Sequence, residues 1–101
     1  MTYVNLTPHA IHLNDGRVFP PSGQIARVSA EHSPFEGDLC LVVFGRVQNL
    51  PEPQEGVYYI VSALVADAAR RPDVVSPATG HPEVVRDEKG QIKSVPGFIR
   101  R

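Results

Sequence analysis

Proline is the residue that most constrains this chain. The sequence has 101 residues and ten prolines, about twice the usual share of roughly 5%. Because proline interrupts helices and removes a hydrogen bond from a central strand, it favours short elements joined by many turns. This excludes a coiled coil, a helical bundle and a membrane span. The prolines largely mark the boundaries of the predicted elements: Pro8, Pro20, Pro21, Pro34, Pro51, Pro53, Pro72, Pro77, Pro82 and Pro96.

The rest of the sequence predicts a single α+β domain over residues 1–101 that is mostly β. Asn14-Asp15-Gly16 lies between two apolar segments and indicates a hairpin turn. Leu39–Val47 is the most apolar stretch, so we predict a central strand there, buried on both faces over its first half. Gly45 marks a bulge or a bend in this strand. The expected architecture is a compact, largely antiparallel sheet of short strands.

One short helix is predicted at about residues 62–70. Ser62 is a good N-cap, the residues after it have mostly high helix propensity, and Pro72 stops the helix. A helix of about two turns does not persist in isolation, so it must pack on the sheet. The face expected to make that contact contains Leu64, Val65 and Ala68.

The charge and cysteine content indicate a compartment and exclude one class of partner. The formal net charge is −1, whereas general nucleic-acid binding usually needs a basic excess. Cys40 is the single cysteine, so no intramolecular disulfide can form, which fits a reducing cytoplasm. The sequence shows no signal peptide and no apolar run near the ~20 residues of a membrane helix. We therefore expect a cytoplasmic protein with no membrane partner.

Motifs for catalysis, cofactors and metals are missing from the sequence. It contains no GxSxG, GxxxxGK[ST], GxGxxG or CxxC pattern. His9 and His12 form an HxxH pair, but in an extended segment their side chains are expected on opposite faces. A metal site needs three or four converging ligands, which the sequence does not indicate. We predict no enzymatic activity, no cofactor and no metal.

The first candidate site is the segment Asn5-Leu6-Thr7-Pro8-His9. Asn5, Thr7 and His9 place three hydrogen-bonding side chains around a proline turn. They are candidates for binding a ligand. Alternatively, the segment is simply the end of a strand, in which Asn5 and Thr7 bond to the local backbone and His9 is half exposed.

The second candidate site surrounds the predicted helix. Ser62 at its start is placed to hold an anion, and the ring of Tyr59 could stack on a base. Arg70, Arg71 and Asp73 follow its end. The two arginines lie about 12 Å from Ser62 at about 1.5 Å of rise per residue, so they reach its ligand from a neighbouring subunit or along an elongated ligand. Alternatively, Ser62 caps the helix, the arginines favour its C-terminus and Asp73 pairs with one of them.

Five segments together resemble a known family: Asn5–His9, Phe19–Gly23, Tyr59–Ser62, Arg71–Val74 and Arg86–Gly90. The family comprises small uncharacterised proteins of bacteriophages, prophages and actinobacterial-type genomes that open with Asn-Leu-Thr-Pro-His. The resemblance runs nearly from end to end of the chain. It implies an accessory protein of a phage or mobile element that works inside a bacterial host cell. It implies no reaction, cofactor or catalytic residue.

This context favours a counter-defence protein that binds without catalysis. By analogy with sponge proteins, we expect a homo-oligomer that sequesters a small phosphate-bearing, nucleotide-derived ligand. Hydrogen bonds would come from Thr7, His9 and Ser62, and the countercharge from Arg70, Arg71 or Arg86. The alternative is a protein-interaction module that inhibits a host protein or serves in the virion. A third, weaker hypothesis is a small hydrolase that uses His9 or Asp73.

Overall fold

A four-stranded sheet forms the centre of the protein. The computed structural model describes residues 1–100, so Arg101, although part of the predicted domain, lies outside the described residues. The described strands are β1 (Thr2–Asn5), β2 (Ile11–His12), β3 (Val18–Phe19), β4 (Arg27–His32), β5 (Val42–Gln48), β6 (Val57–Ile60), β7 (Val74–Pro77), β8 (Val85–Arg86), β9 (Ile92–Ser94) and β10 (Phe98–Arg100). Helix α1 (Ala63–Ala69) connects β6 to β7.

The predicted class is confirmed, since the fold is mostly β with one short helix. Three antiparallel pairs, β2–β3, β4–β5 and β8–β9, form small sheets of their own. The four-stranded sheet has the order β1-β6-β7-β10 and is mixed. In it β6 pairs in parallel with both β1 and β7, whereas β10 is antiparallel to β7. Parallel neighbours need a long crossover, and α1 supplies the one between β6 and β7.

The core consists of two apolar clusters that lie on opposite faces of the sheet. Tyr59 belongs to the cluster against α1, whereas its neighbours Tyr58 and Ile60 belong to the other one, as the alternation of a strand requires. The α1 cluster includes Leu6, Tyr59, Val61, Val65, Ala66 and Val74. The opposite cluster includes Ile11, Leu13, Ile60, Val75 and Val95, with Tyr3, Phe19, Tyr58 and Phe98 packed against it.

Helix α1 has the predicted position and the predicted N-cap. The Ser62 Oγ accepts a hydrogen bond from the Val65 N–H at 3.3 Å. Arg70 ends the helix in a left-handed conformation with φ of 51°. The predicted buried face is wrong in part, because Val65 and Ala66 are buried whereas Leu64 is 47% exposed. Six of the seven residues of α1 are apolar, so their spacing does not distinguish one face of the helix from another.

The segment predicted as a buried central strand is instead exposed. We call Arg27–Gln48, which contains β4, β5 and the turn between them, the ribbon. Among the described strands β5 pairs with β4 alone, and Leu41 and Val43 are 75% and 64% exposed. The prediction failed because an apolar stretch indicates only that its side chains will be covered. It does not indicate whether the same chain or another chain covers them.

The predicted bulge at Gly45 is confirmed. Val28 pairs with Val47 and Ala30 with Phe44, so two residues of β5 lie opposite Ser29. A Cβ atom at position 45 would collide with the Ser29 Oγ, so a larger residue there requires the serine side chain to rotate away. The base of the ribbon packs on the α1 cluster and its far half extends away from the compact body. The radius of gyration is consequently 15.4 Å, compared with about 13 Å for a typical domain of 100 residues.

Within residues 1–100, no helix has both the length and the apolar character that crossing a bilayer requires.

Candidate functional site

A groove of about 470 Å³ lies where the turn after β1 meets β2, β9 and the start of α1. We call it the Thr7 groove. Buried Ile11 and Val95 form part of its lining. Its polar lining includes Thr7, His9 and Ser62, three of the predicted site residues, which come from two distant segments of the sequence. The structure thus brings part of both candidate sites into one place.

Asn5 lies beneath this groove and holds the turn together. Its side chain is buried, with 2% of the residue exposed, and all its hydrogen-bonding groups have partners inside the chain. The Asn5 Nδ2 donates to the carbonyls of His9 and Phe19, both at 2.9 Å. Its Oδ1 accepts from the Thr7 N–H at 2.9 Å and from the Thr7 hydroxyl at 2.6 Å. Asn5 therefore positions the groove instead of contacting a ligand.

The Thr7 and Ser62 hydroxyls are both partly committed to the fold. The Thr7 Oγ lies 2.6 Å from the Asn5 Oδ1 and 3.0 Å from the His9 carbonyl, and its single proton serves one of them at a time. Its lone pairs can still accept a hydrogen bond. The Ser62 Oγ accepts the capping bond from Val65, which leaves its own proton to donate. The Thr7 hydroxyl can therefore only accept from a ligand, whereas the Ser62 hydroxyl can donate to one.

The groove also contains one lysine and one histidine that were not among the predicted site residues. Exposed Lys93 on β9 and exposed His12 on β2 both line it. His9 and His12 were expected on opposite faces, but His9 precedes β2 in a turn, so both histidines line the same groove. Lys93 reaches it because Leu13 and Val95 form a bridge between distant segments, and no local pattern in the sequence reports that pairing.

Arg71, Asp73 and Tyr59 form a separate cluster at the end of α1. The Arg71 guanidinium donates to both Asp73 carboxylate oxygens, at 2.9 and 2.6 Å, and its centre lies 5.9 Å from the centroid of the Tyr59 ring. These hydrogen bonds lower the pKa of Asp73 and raise the pKa of Arg71. The buried Tyr59 hydroxyl donates to the Glu52 carbonyl at 3.2 Å. The Arg71 charge is thus neutralised within the chain.

Arg70 and Arg86 also lie apart from the Thr7 groove in the described structure. Arg70 lines a different cavity, beside Phe44 and Leu64. The Arg86 Nη1 donates to the Gly90 carbonyl at 2.8 Å within the β8–β9 hairpin. Of the nine predicted site residues, three line the groove, one supports it from below, and five lie elsewhere: Tyr59, Arg70, Arg71, Asp73 and Arg86.

A second cavity, of about 350 Å³, lies beside Tyr3, Tyr58 and Phe98. The ring centroid of Tyr3 is 5.6 Å from that of Tyr58 and 5.0 Å from that of Phe98, so these rings mainly pack against one another. The two arginines in its lining are engaged within the chain, Arg100 with the Tyr58 hydroxyl at 2.9 Å and Arg17 with Asp15. The Thr7 groove is therefore the better candidate for a ligand.

Comparisons with protein-family models, with curated proteins and with solved structures found no match. Any function must therefore be argued from the groove itself. Its apolar lining, four hydroxyls, two imidazoles and one ammonium suit a ligand with an apolar or planar part and an anionic part. Among the described residues, no three His, Cys, Asp or Glu side chains are grouped as metal ligands.

Proposed function

We propose that the protein is a non-enzymatic binding protein that holds a small phosphate-bearing, nucleotide-derived ligand in the Thr7 groove. The convergence of Thr7, His9 and Ser62 in one groove carries this proposal. Thr7 and His9 follow β1, whereas Ser62 follows β6. The parallel pairing of these strands, in which Asn5 lies opposite Ile60, brings the three side chains to the same edge of the sheet.

The groove offers each part of such a ligand a suitable surface. The volume of about 470 Å³ lies within the range of roughly 300–1,000 Å³ that is usual for small-molecule sites. Ile11 and Val95 provide apolar contact for a base or a sugar face. Lys93 supplies the countercharge for a phosphate, and the imidazoles of His9 and His12 offer hydrogen bonds to it. The arginines proposed from the sequence are replaced in this role by Lys93.

We propose that this binding is stoichiometric in the cell, with each protein molecule occupied by the ligand that it sequesters. The resemblance to phage and prophage proteins supports a counter-defence role, in which the protein sequesters a nucleotide-derived signal of its bacterial host. Such a role needs tight binding and a high concentration of the protein, but no chemical step. A groove that combines hydrogen-bonding groups with apolar surface is consistent with this role.

Calorimetric titration tests the proposal, with cyclic dinucleotides, ADP-ribose-type molecules and nucleoside monophosphates as probes. We expect at least one probe to bind at micromolar concentration with one ligand per groove. Thr7→Val and Lys93→Met should each weaken that binding about tenfold, the equivalent of about 1.4 kcal/mol. Lys89→Met is the matched control, because Lys89 is an exposed lysine in the turn of the same hairpin and lies outside the groove lining.

Two results would overturn the assignment. One is the absence of heat with every probe. The other is an equal loss of binding in Lys89→Met and Lys93→Met, which would mean that the lysines act through general charge and not through the groove. Thermal melts of each variant exclude loss of folding as the cause.

A second candidate function is a protein-interaction module that inhibits a host protein or serves in the virion. The exposed apolar ribbon favours it, since monomeric proteins rarely leave large apolar patches uncovered. It predicts that a macromolecular partner copurifies with the protein and that none of the small-molecule probes binds.

A further inference from the structure

One edge of the ribbon is both apolar and unpaired. Six large apolar side chains of the ribbon each expose between 44% and 77% of their surface: Phe35, Leu39, Leu41, Val42, Val43 and Phe44. All but the first of them fall within Leu39–Phe44, which contains no charged residue and no proline. A two-stranded ribbon is marginally stable by itself in water, so covering this edge would stabilise it.

The hydrogen-bond pattern shows which backbone groups this edge presents. The Ser33 N–H donates to the Leu41 carbonyl at 2.9 Å, which identifies these residues as a hydrogen-bonded pair. Along an antiparallel ladder, hydrogen-bonded pairs alternate with pairs that are not hydrogen-bonded. His32 and Val42 are therefore not a hydrogen-bonded pair, whereas Glu31 and Val43 are the next hydrogen-bonded one. Val42 and Phe44 therefore point their N–H and C=O groups outward, away from β4. These backbone groups are available to form hydrogen bonds with another strand.

The two edges of the ribbon differ in how well they are protected. Exposed charged and polar residues guard many edge strands against unwanted pairing. The outer edge of β4 carries Arg27, Glu31 and His32, all exposed. On β5, the segment Val42–Phe44 has no such residue, and Arg46 lies in the bulge that follows it. A partner strand is thus expected on β5 and not on β4.

We propose that the partner is a second copy of this chain, paired antiparallel through β5. Val42 of each copy lies opposite Phe44 of the other, and Val43 lies on the twofold axis. This register uses the two residues with outward backbone groups and ends before the bulge at Gly45, where the ladder becomes irregular. A pair of an aromatic and a β-branched residue across two strands is also a favourable one.

A second copy suits this edge in charge and in area. Identical uncharged strands meet without repulsion, and a twofold axis makes each apolar segment complementary to itself. The six exposed side chains leave on the order of 700 Å² accessible, which is the upper limit of the area that they can bury and lies close to the ~800 Å² per partner of a stable interface. Pairing would convert two marginal ribbons into one four-stranded sheet.

Analytical ultracentrifugation at micromolar concentration gives the first test. The unmodified protein should sediment as a dimer. Val43→Lys should raise the dissociation constant at least tenfold, because two like charges would meet on the axis. Val85→Lys is the matched control, since Val85 is an exposed valine of another two-stranded hairpin, and this variant should remain dimeric. Circular dichroism checks that both variants are folded.

A cysteine cross-link tests the register independently. Opposite residues of a pair that is not hydrogen-bonded have Cα atoms about 4.5 Å apart, within the range of disulfides. In a Cys40→Ser background, Val43→Cys should form a covalent dimer under mild oxidation, whereas Val85→Cys should not. A monomeric unmodified protein, or a Val43→Cys variant that fails to cross-link, would overturn the proposal. So would capture of a different protein by this edge in place of a second copy.

This inference is independent of the proposed ligand. The Thr7 groove contains no ribbon residue among those described, so loss of dimerisation in Val43→Lys should leave ligand affinity unchanged. Failure of either proposal can therefore be recognised without the other.

Discussion

Asn5 provides the sharpest test of how the Thr7 groove is built. Asn5→Ala removes four hydrogen bonds at once, two donated by its amide and two accepted by its carbonyl. The Phe19 carbonyl and the Thr7 N–H lose the Asn5 side chain as a partner, whereas the His9 carbonyl can still accept from the Thr7 hydroxyl. We expect the turn after β1 to loosen and the free energy of unfolding to fall.

The magnitude follows from the number of bonds and their burial. A typical hydrogen bond contributes about 1 kcal/mol net, and a buried group left unpaired costs about 1–3 kcal/mol. Since His9 is exposed, its carbonyl can regain water, so not every group bears the full cost. We expect a loss of about 3 kcal/mol from a stability that is typically about 5–15 kcal/mol. At about 4–8 °C per kcal/mol, the melting temperature should fall by about 15 °C.

Urea unfolding at equilibrium, together with thermal melts, measures this loss. Thr7→Ala is the matched control, because it removes the hydroxyl but leaves the Asn5 bonds to His9, Phe19 and the Thr7 N–H. It should cost about 1 kcal/mol. Asn5→Asp keeps the acceptor but places a carboxylate against two carbonyl oxygens, so it should be destabilising at neutral pH and less so in acid.

Equal losses in Asn5→Ala and Thr7→Ala would refute the reasoning, because the amide would then not be the group that holds the turn. If Asn5 holds the turn, Asn5→Ala should also bind the ligand more weakly, because Thr7 and His9 would no longer be held in place. This is measured at temperatures at which the variant is still folded.

Three other changes test single contacts. Ser62→Ala removes the cap of α1 and should lower the unfolding free energy by about 1 kcal/mol in urea titrations. Asp73→Asn removes the pair with Arg71. Because that pair lowers the pKa of Asp73, its stabilisation is present above the usual 3.8 and is lost as the pH falls through the folded value. The difference between variant and unmodified protein should therefore vanish in acid melts and persist at neutral pH. Gly45→Ala should cost about 1 kcal/mol, because the Ser29 side chain must rotate away from the new methyl group, and adding Ser29→Ala should restore most of it. Equal stability of the single and double variants would exclude that collision as the cause.

The sequence predicted the elements that depend on neighbouring residues. The turn at Asp15-Gly16 produces the β2–β3 hairpin, because glycine accepts the positive φ of 96° found at Gly16. The Ser62 cap and Pro72 bracket α1 in the same local way. In each case the deciding interaction lies within a few residues, so the sequence pattern contains it.

Contacts between distant segments could not be predicted in this way. Lys93 joins the Thr7 groove through the bridge between Leu13 and Val95, and β10 takes its place beside β7 with no local signal. One long-range feature did have a signal. A strand, a helix and a second strand in succession, over residues 57–77, form the pattern of a parallel βαβ unit. The pairing of β6 with β7 was therefore within reach of sequence analysis.

The parallel pairing of β1 with β6 also determines the order in which this protein can fold. β1 is made first, yet its partner in the sheet, Val57–Ile60, emerges from the ribosome only after the whole ribbon. The ribbon is a local hairpin and can form early, whereas the sheet must close a long loop and is slow to assemble. During this interval the apolar edge of β5 is exposed before the core exists. Folding and association should thus compete, and the yield of refolding should depend on protein concentration.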